Sequence, residues 1–266
     1  MSEPPAGVDG PGASLSPEQA QSDALDLRSS LSDLAGMVTG SIPMDELLSR
    51  VATYASRAIP GADGAGVTLL RAKGGGNRVE AMAASAPFVA EIDEIQYAEL
   101  NEGPCISAAL ERRTVRSGSL GGDKQWPRFG PRVGRLGVHS VLSLPLLVPD
   151  RVVGAINVYA HAKDVFDDHA TELGELFATP AAVAVHNAQV LAQAMALATQ
   201  LQTALSSRPV IDQAVGIIRA RSGSTAEEAF ARLRTISQHE NVRLATVAAR
   251  VVDEAVRRAR AHNPTA

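Results

Sequence analysis

Residues 224–256 read STAEEAFARLRTISQHENVRLATVAARVVDEAV, and their apolar residues recur at the spacing of one helix face in two successive segments. A preceding segment repeats this spacing, which is typical of an amphipathic α-helix. The three apolar stripes are Ile211, Ala214, Val215 and Ile218; Ala226, Ala229, Phe230, Leu233 and Ile236; and Leu244, Val247, Ala248, Val251, Val252, Ala255 and Val256. We therefore predict an all-α bundle of three helices over residues 201–260.

The starts of these helices carry recognisable capping residues. Thr225 and Glu228 have the spacing of a capping box at the start of the second helix. For the first helix, Ser206 or Ser207 is the expected cap, with Pro209 in the opening turn.

The middle of the chain alternates between strand and helix patterns. Apolar runs bounded by turn residues predict strands at 65–72, 78–85, 114–117, 140–148 and 152–160, with a turn at 73–77. Helical spacing predicts helices at 42–59, 88–97 and 105–112. An α+β domain over residues 42–188 is therefore expected before the bundle, with a disordered tail at 1–22 and a helix at 23–41.

Charge and cysteine content narrow the class of protein. The net charge is −4, yet from residue 206 onward ten arginines face six acidic residues. A basic end on an acidic body suits binding of a polyanion, although a solvated helix face has the same composition. One cysteine and no signal-peptide pattern at the N-terminus predict a cytoplasmic protein without a membrane span.

A helical connector is predicted at residues 189–200, beyond a joint or kink at Pro180. Apolar and small residues there step by four and three, as in a short coiled coil. The predicted homodimer seam is Leu191, Ala194, Ala198, Leu201 and Leu205. A single amphipathic helix packed on its own domain is the alternative.

The C-terminal pattern resembles the ANTAR domain. The motifs are Leu201-x-x-Ala204-Leu205-x-x-Arg208-x-x-Ile211-x-x-Ala214-x-Gly216-Ile217-Ile218, Ala229-Phe230-x-x-Leu233-Arg234-x-x-Ser237 and Asn241-x-x-Leu244-x-x-Val247-Ala248. The family often has a lysine where Val215 stands and a methionine where Arg219 stands, so base contacts by those side chains are not carried over. The resemblance implies binding of paired RNA stem-loops in nascent transcripts and transcription antitermination.

The middle of the chain resembles a GAF sensor domain. Ser140-Val-Leu-Ser-Leu-Pro145-Leu, Val153-Gly154-Ala-Ile-Asn-Val158-Tyr159 and Phe166-Asp-Asp168 are similar to its last strands and closing helix. Ile59-Pro-Gly-Ala-Asp-Gly-Ala-Gly-Val67 and Glu102-Gly-Pro-Cys105 are similar to the version often paired with ANTAR. The resemblance implies an antiparallel sheet with flanking helices and a pocket for a small-molecule effector of unknown identity.

The sequence offers little catalytic chemistry. It has no nucleophile elbow, phosphate loop or metal-binding helix motif, so we expect no enzyme activity, no cofactor and no metal site. Candidate residues of the sensor pocket are Cys105, Trp126 and Tyr159. Cys105 is either a redox or ligand-sensing thiol or a small buried core residue.

The arginines and polar residues of the bundle are the candidate RNA contacts. Arginine pairs with phosphate as a fork and stacks on bases. The predicted contacts are Arg208, Arg219, Arg234, Ser237, Gln238, Asn241, Arg243, Arg250 and Arg257. The alternatives are a DNA-binding regulator, since three helices also form helix-turn-helix modules, and a redox or ligand sensor that acts through protein partners.

Overall fold

The computed structural model describes residues 15–37, 42–73 and 76–262, without the side chains of residues 71–78 and 203–206. The chain divides into two compact units, Met1–Leu191 and Ala192–Ala266. Residues 1–14 of the tail predicted at 1–22, residues 38–41 of the helix predicted at 23–41, and residues 74 and 75 of the predicted turn lie outside the described residues.

The first unit is built on one antiparallel sheet. Its strands are β1 (Gly64–Lys73), β2 (Gly76–Ala84), β3 (Val115–Ser117), β4 (Ser140–Val148) and β5 (Arg151–Ala160). They lie in the order β2-β1-β5-β4-β3, and every neighbouring pair is antiparallel. The expected antiparallel sheet is therefore confirmed.

Helices cover both faces of this sheet. They are α1 (Pro17–Ala35), α2 (Met44–Ala58), α3 (Pro87–Glu94), α4 (Pro104–Glu111), α5 (Phe129–Arg135) and α6 (Asp168–Ser222), with a π-helical turn at Ile95–Leu100 after α3. Leu142 and Leu144 of β4 join α1, α2 and α6 in one core, whereas Val141 joins α3 and α5 in the other. Residues 140–146 are buried on both faces of the sheet, and their sequence is accordingly apolar apart from Ser140 and Ser143.

The N-terminal helix starts earlier than predicted. Helix α1 begins at Pro17, within the expected tail, and ends at Ala35. The Ser16 hydroxyl accepts a hydrogen bond from the Gln19 N–H at 3.1 Å, and Pro17 fits the first turn because its missing N–H would have no partner there. Leu27 and Leu34 of α1 are buried in the core.

Helix α6 contains both Pro180, where a kink or joint was predicted, and Pro209, near which a helix was predicted to start. Residues on both sides of Pro180 are helical, and the expected helix start at Ser206 or Ser207 is wrong because the helix runs through Pro209. Proline removes one backbone hydrogen bond, but the alanines on both sides of Pro180 favour continuation of the helix there. By length and composition alone, α6 could also cross a membrane.

The second unit contains the three predicted amphipathic segments. They are the end of α6, α7 (Ala226–Glu240) and α8 (Leu244–His262). Ala214, Leu233, Val247 and Ala248 form its small buried core. The Thr225 hydroxyl accepts from the Glu228 N–H and the Glu228 carboxylate accepts from the Thr225 N–H, so the predicted capping box is confirmed.

Candidate functional site

The turn between α7 and α8 uses three of the nine predicted RNA-contact residues. Ser237 Oγ donates to the Val242 carbonyl at 2.6 Å. Asn241 ends α7 in the left-handed conformation, with φ of 53°, and Arg250 pairs with Glu240 at the end of α7. Asparagine tolerates this backbone conformation better than most residues. These three side chains therefore hold the turn, whatever else they contact.

Five other predicted arginines are exposed: Arg208, Arg219, Arg234, Arg243 and Arg257. None of the five has an ion pair within the described ranges, whereas Arg250 and Arg258 each pair with a glutamate. Gln238 is also exposed. An unpaired guanidinium can bind phosphate without first breaking an internal ion pair. Arg243, just before α8, and Arg257, on α8, are fourteen residues apart, which is nearly four helical turns and places them close to one helix face.

Two grooves on this unit bring apolar and basic side chains together. The larger, about 1010 Å³, is lined by Ile218, Ile236 and Val251 with Arg221 and Arg232. A second groove, about 400 Å³, is lined by Phe230 and Arg234. Arg221 and Arg232 were not among the predicted contacts, because both adjoin apolar residues only in the folded bundle.

The glutamates beside the larger groove already have partners. Glu228 belongs to the capping box and Glu254 pairs with Arg258. Arg221 and Arg232 have no ion pair in the part of the chain that the structure describes. The charge available to a ligand in this groove is therefore positive.

The predicted dimer seam is largely exposed on α6. Ala194, Ala198 and Leu201 are exposed and Leu191 is half-buried, while the side chain of Leu205 lies outside the described residues. Leu197 and Leu201 each expose 56% of their surface, and Met195 exposes 55%. The predicted seam omitted Met195 and Leu197, although both are larger than the alanines in it. Apolar side chains this exposed are available for packing against another helix.

In the first unit, the three predicted pocket residues are all buried. Cys105 Sγ accepts a hydrogen bond from the Tyr97 hydroxyl at 2.5 Å, and the Cys105 N–H donates to Gln96 Oε1 at 3.2 Å. Trp126 Nε1 donates to Ser107 Oγ at 3.0 Å within the core beside α5. Tyr159 lies on β5, and its electrostatic neighbours include Cys105. Among the described residues, no group of His, Cys, Asp or Glu is arranged to hold a metal ion.

Burial changes the chemistry of the Cys105 thiol. Desolvation raises its pKa to about 12, and the Tyr97 hydrogen bond only partly opposes this. A thiol with such a pKa stays protonated near neutral pH and is a poor nucleophile. The geometry therefore favours the packing role of Cys105 over the redox role.

We expect Cys105→Ala to keep RNA affinity within about threefold, less than the tenfold that 1.4 kcal/mol represents. The variant removes the thiol but leaves the arginines of the second unit in place. Fluorescence anisotropy with a labelled hairpin measures the affinity, and Tyr97→Phe is the matched control because it removes the other half of the same hydrogen bond. A loss beyond tenfold for Cys105→Ala alone would restore the redox interpretation.

Comparisons with known families agree with the two units. The family model of the GAF domain matches residues 41–186, and that of the ANTAR domain matches residues 199–252. No curated protein matches the chain.

Solved structures support the fold of the first unit. The GAF domain of a phosphoenolpyruvate-protein phosphotransferase from Coxiella burnetii is 14% identical with a TM-score of 0.50, covering 65% of this chain and 98% of that one. A similar GAF domain from Acinetobacter is 12% identical (TM-score 0.48; 64% and 97% covered). Free methionine-R-sulfoxide reductase from Neisseria meningitidis is 16% identical (TM-score 0.48; 67% and 96%). At these identities the similarity shows the fold alone. The fold assignment rests on the Coxiella structure, whose TM-score is 0.50.

Proposed function

Because the chain belongs to the GAF family and ends in an ANTAR domain, we propose that this regulator binds stem-loops in nascent RNA and acts by transcription antitermination. The GAF domain is the sensor and the ANTAR domain is the output. On this proposal the protein contributes binding energy and no covalent chemistry, and it works in the cytoplasm, where nascent transcripts are accessible. A small-molecule effector acts by shifting the population that is competent to bind RNA.

The observation that carries the proposal is the set of unpaired arginines on the ANTAR domain. Arg208, Arg219, Arg234, Arg243 and Arg257 are exposed, and the larger groove adds Arg221 and Arg232 beside apolar residues. Arginine stacks on unpaired bases, and single-stranded RNA loops expose such bases. Phosphates and loop bases together are therefore a better match to this surface than a protein partner.

Dimerisation adds to the mechanism. Two ANTAR domains held together bind a pair of hairpins more tightly than one domain does, because the second contact becomes intramolecular. The exposed side chains of Met195, Leu197 and Leu201 support a dimer seam on α6.

The test is a titration of the full chain with a hairpin RNA and with duplex DNA of the same length at matched salt. We expect the RNA to bind at least tenfold more tightly. Tighter binding to the duplex would favour the helix-turn-helix alternative, in which a helix enters the major groove. The hairpins for this titration are identified beforehand, by crosslinking the protein to cellular RNA and sequencing the attached RNA.

Replacing Arg243 and Arg257 together with alanine should weaken binding to every hairpin to a similar degree. Both guanidinium groups lack an internal partner among the described residues, so we expect them to contact phosphates. A variant that contacts fewer phosphates releases fewer counterions when it binds. Each lost contact should therefore reduce the magnitude of the slope of log affinity against log salt concentration by about 0.7–0.9. Anisotropy titrations at several salt concentrations measure this slope.

The matched control is Arg50→Ala, which removes an exposed arginine of the GAF domain that pairs with Glu46. It should leave both affinity and slope unchanged. Thermal melts separate folding from binding, since neither Arg243 nor Arg257 lies in the core of the bundle. A double variant that folds normally and keeps the parent slope would show that this face of α8 does not contact RNA.

A further inference from the structure

A group of buried polar atoms in the GAF domain has no hydrogen-bond partner among the described residues. They are both carboxylate oxygens of Asp93, Gln96 Nε2, Asn157 Nδ2, Thr68 Oγ1 and the Tyr159 hydroxyl. All five side chains are at most 2% exposed. Native proteins leave few buried polar atoms unpaired, and each exception calls for an explanation. Six such atoms on four elements of one domain therefore mark a candidate binding site.

Electrostatic interactions indicate that these groups lie near one another. Asp93, on α3, influences the pKa values of Tyr97, Cys105 and Tyr159. Thr68 and Asn157 lie close enough to lower the pKa of the Cys105 thiol, although Thr68 Oγ1 and Asn157 Nδ2 form no hydrogen bond of normal geometry with it. Thr68 lies on β1 and Asn157 on β5, which are paired strands. The site therefore lies between the sheet and the helical segment 87–111.

The two amide groups are held with their nitrogen atoms free. Asn157 Oδ1 accepts from Ser143 Oγ at 2.5 Å, and Gln96 Oε1 accepts from the Cys105 N–H at 3.2 Å. Because both oxygens are occupied, the unpaired atoms of both amides are N–H donors. The site thus offers hydrogen-bond donors from fixed amides beside the acceptor oxygens of Asp93.

Within the part of the chain that the structure describes, no cationic side chain acts on Asp93. Burial raises the pKa of its carboxyl to about 7, and only the nearby Asn157 amide lowers it. That amide nitrogen is nevertheless too far or too poorly aligned to form a hydrogen bond of normal geometry with it. A buried carboxylate without a countercharge is costly, and a cationic ligand would remove this cost.

Two glycines leave room for these side chains. A Cβ atom on residue 66 would lie 2.8 Å from Asp93 Oδ2, and one on residue 103 would lie 2.2 Å from Gln96 Oε1. Gly103 also has a φ of 154°, which side chains rarely adopt. Any larger residue at either position would push the carboxylate or the amide out of place.

We propose that this cluster binds a small ligand whose amidine or guanidine group donates paired hydrogen bonds to Asp93 and whose acceptor atoms receive N–H groups of Gln96 and Asn157. A planar group with two N–H donors matches the two unpaired oxygens of one carboxylate. The hydroxyls of Thr68 and Tyr159 complete the site as donors or acceptors. The inference deepens the proposed sensor role, and it rests on that role only for its link to RNA binding.

The test compares two probes of nearly identical shape, acetamidinium and neutral acetamide, each at 20 mM with the full chain at pH 8. For a probe dissociation constant of about 5 mM, acetamidinium should raise the unfolding midpoint by about 2–4 °C. Acetamide should leave the midpoint unchanged. The fluorescence of Trp126 follows unfolding of the GAF domain, since this residue is the only tryptophan and is buried there.

Asp93→Asn should abolish the acetamidinium shift, whereas Asp150→Asn, which removes an exposed carboxylate, should keep it. If Asp93→Asn does not fold, Gly66→Ala serves instead, because its Cβ displaces the Asp93 carboxylate without removing it. An equal shift with acetamide, or no shift with either probe, would overturn the proposal. Hairpin binding by the unchanged chain is measured in parallel. If this chain binds acetamidinium but no hairpin, only the proposed function is contradicted.

Discussion

Leu197→Asp combined with Leu201→Asp should convert a dimer into monomers and lower affinity for an RNA with two hairpins by about a hundredfold, within the range expected for loss of a linked second contact. Both side chains expose 56% of their surface and lie four residues apart on α6. In the dimer, each new carboxylate would face the same carboxylate of the partner chain and would be buried without a countercharge. Light scattering measures the mass, and anisotropy measures the affinity.

The same double variant should bind an RNA with a single hairpin almost as well as the parent protein does. This contrast separates loss of dimerisation from damage to the RNA surface. The control is Leu110→Asp, an equally drastic change at an exposed leucine of α4 that lies outside the seam. A double variant that remains dimeric would place the interface elsewhere, and a monomer with full affinity for two hairpins would remove avidity from the mechanism.

The free energy of unfolding of the GAF domain should fall as the pH rises from 5 to 7. The Asp93 carboxyl titrates near pH 7 in the folded protein and near its ordinary value of 3.8 when unfolded. Between these values the folded state holds a proton that the unfolded state has released, so stability decreases with pH. One such group changes the free energy by up to about 1.4 kcal/mol per pH unit, or about 2 kcal/mol between pH 5 and 7, because the slope falls as the pH approaches the folded pKa.

Asp93→Asn should flatten this dependence, because asparagine has nearly the same shape and no titratable proton. Tyr97, Cys105 and Tyr159 face the same cluster, but burial raises the pKa of each, so they stay protonated throughout this range. Urea unfolding followed by Trp126 fluorescence gives the free energies. Asp150→Asn should behave like the parent, and an unchanged pH dependence in Asp93→Asn would assign the titration to another group.

The strands and the bundle could be predicted because burial leaves a direct trace in the sequence. Residues 140–146 are apolar apart from Ser140 and Ser143 because both faces of β4 are covered, and the predicted stripe of α7 contains its two buried residues, Ala229 and Leu233. The end of the N-terminal tail was harder to predict. Ser16 and Pro17 resemble the polar residues before them, and only the packing of Leu27 and Leu34 makes them the start of a helix.

Apart from Tyr159, which was predicted as a pocket residue, the polar cluster of the GAF domain was missed because it depends on contacts between distant parts of the chain. Two local signals were nevertheless present. Asp93 interrupts the buried face of α3 between Val89 and Gln96, and Asn157 interrupts an apolar strand. A polar residue at a buried position is uncommon unless it is paired or functional.

The RNA surface was predicted only at the level of helix faces. Periodicity identified which arginines are exposed, but it could not show that Arg250 pairs with Glu240 or that Ser237 bonds to Val242. Both contacts form across a turn whose geometry is set by the left-handed Asn241. Residues assigned to recognition from spacing alone therefore included some that maintain the fold.

The centre of the sheet has a consequence for how the chain folds. Strand β1 pairs with β5, so Ala65 lies opposite Val158, and nearly a hundred residues separate the two. Closing so long a loop is slow, and mixed or β-rich topologies accordingly fold more slowly than helical bundles with local contacts. At about 5–20 residues per second, a ribosome needs several seconds or more to make the intervening segment. The β1–β2 hairpin therefore cannot pair with β5 until that segment has been made. The helices of the ANTAR domain, by contrast, pack against segments that are close to them in the sequence.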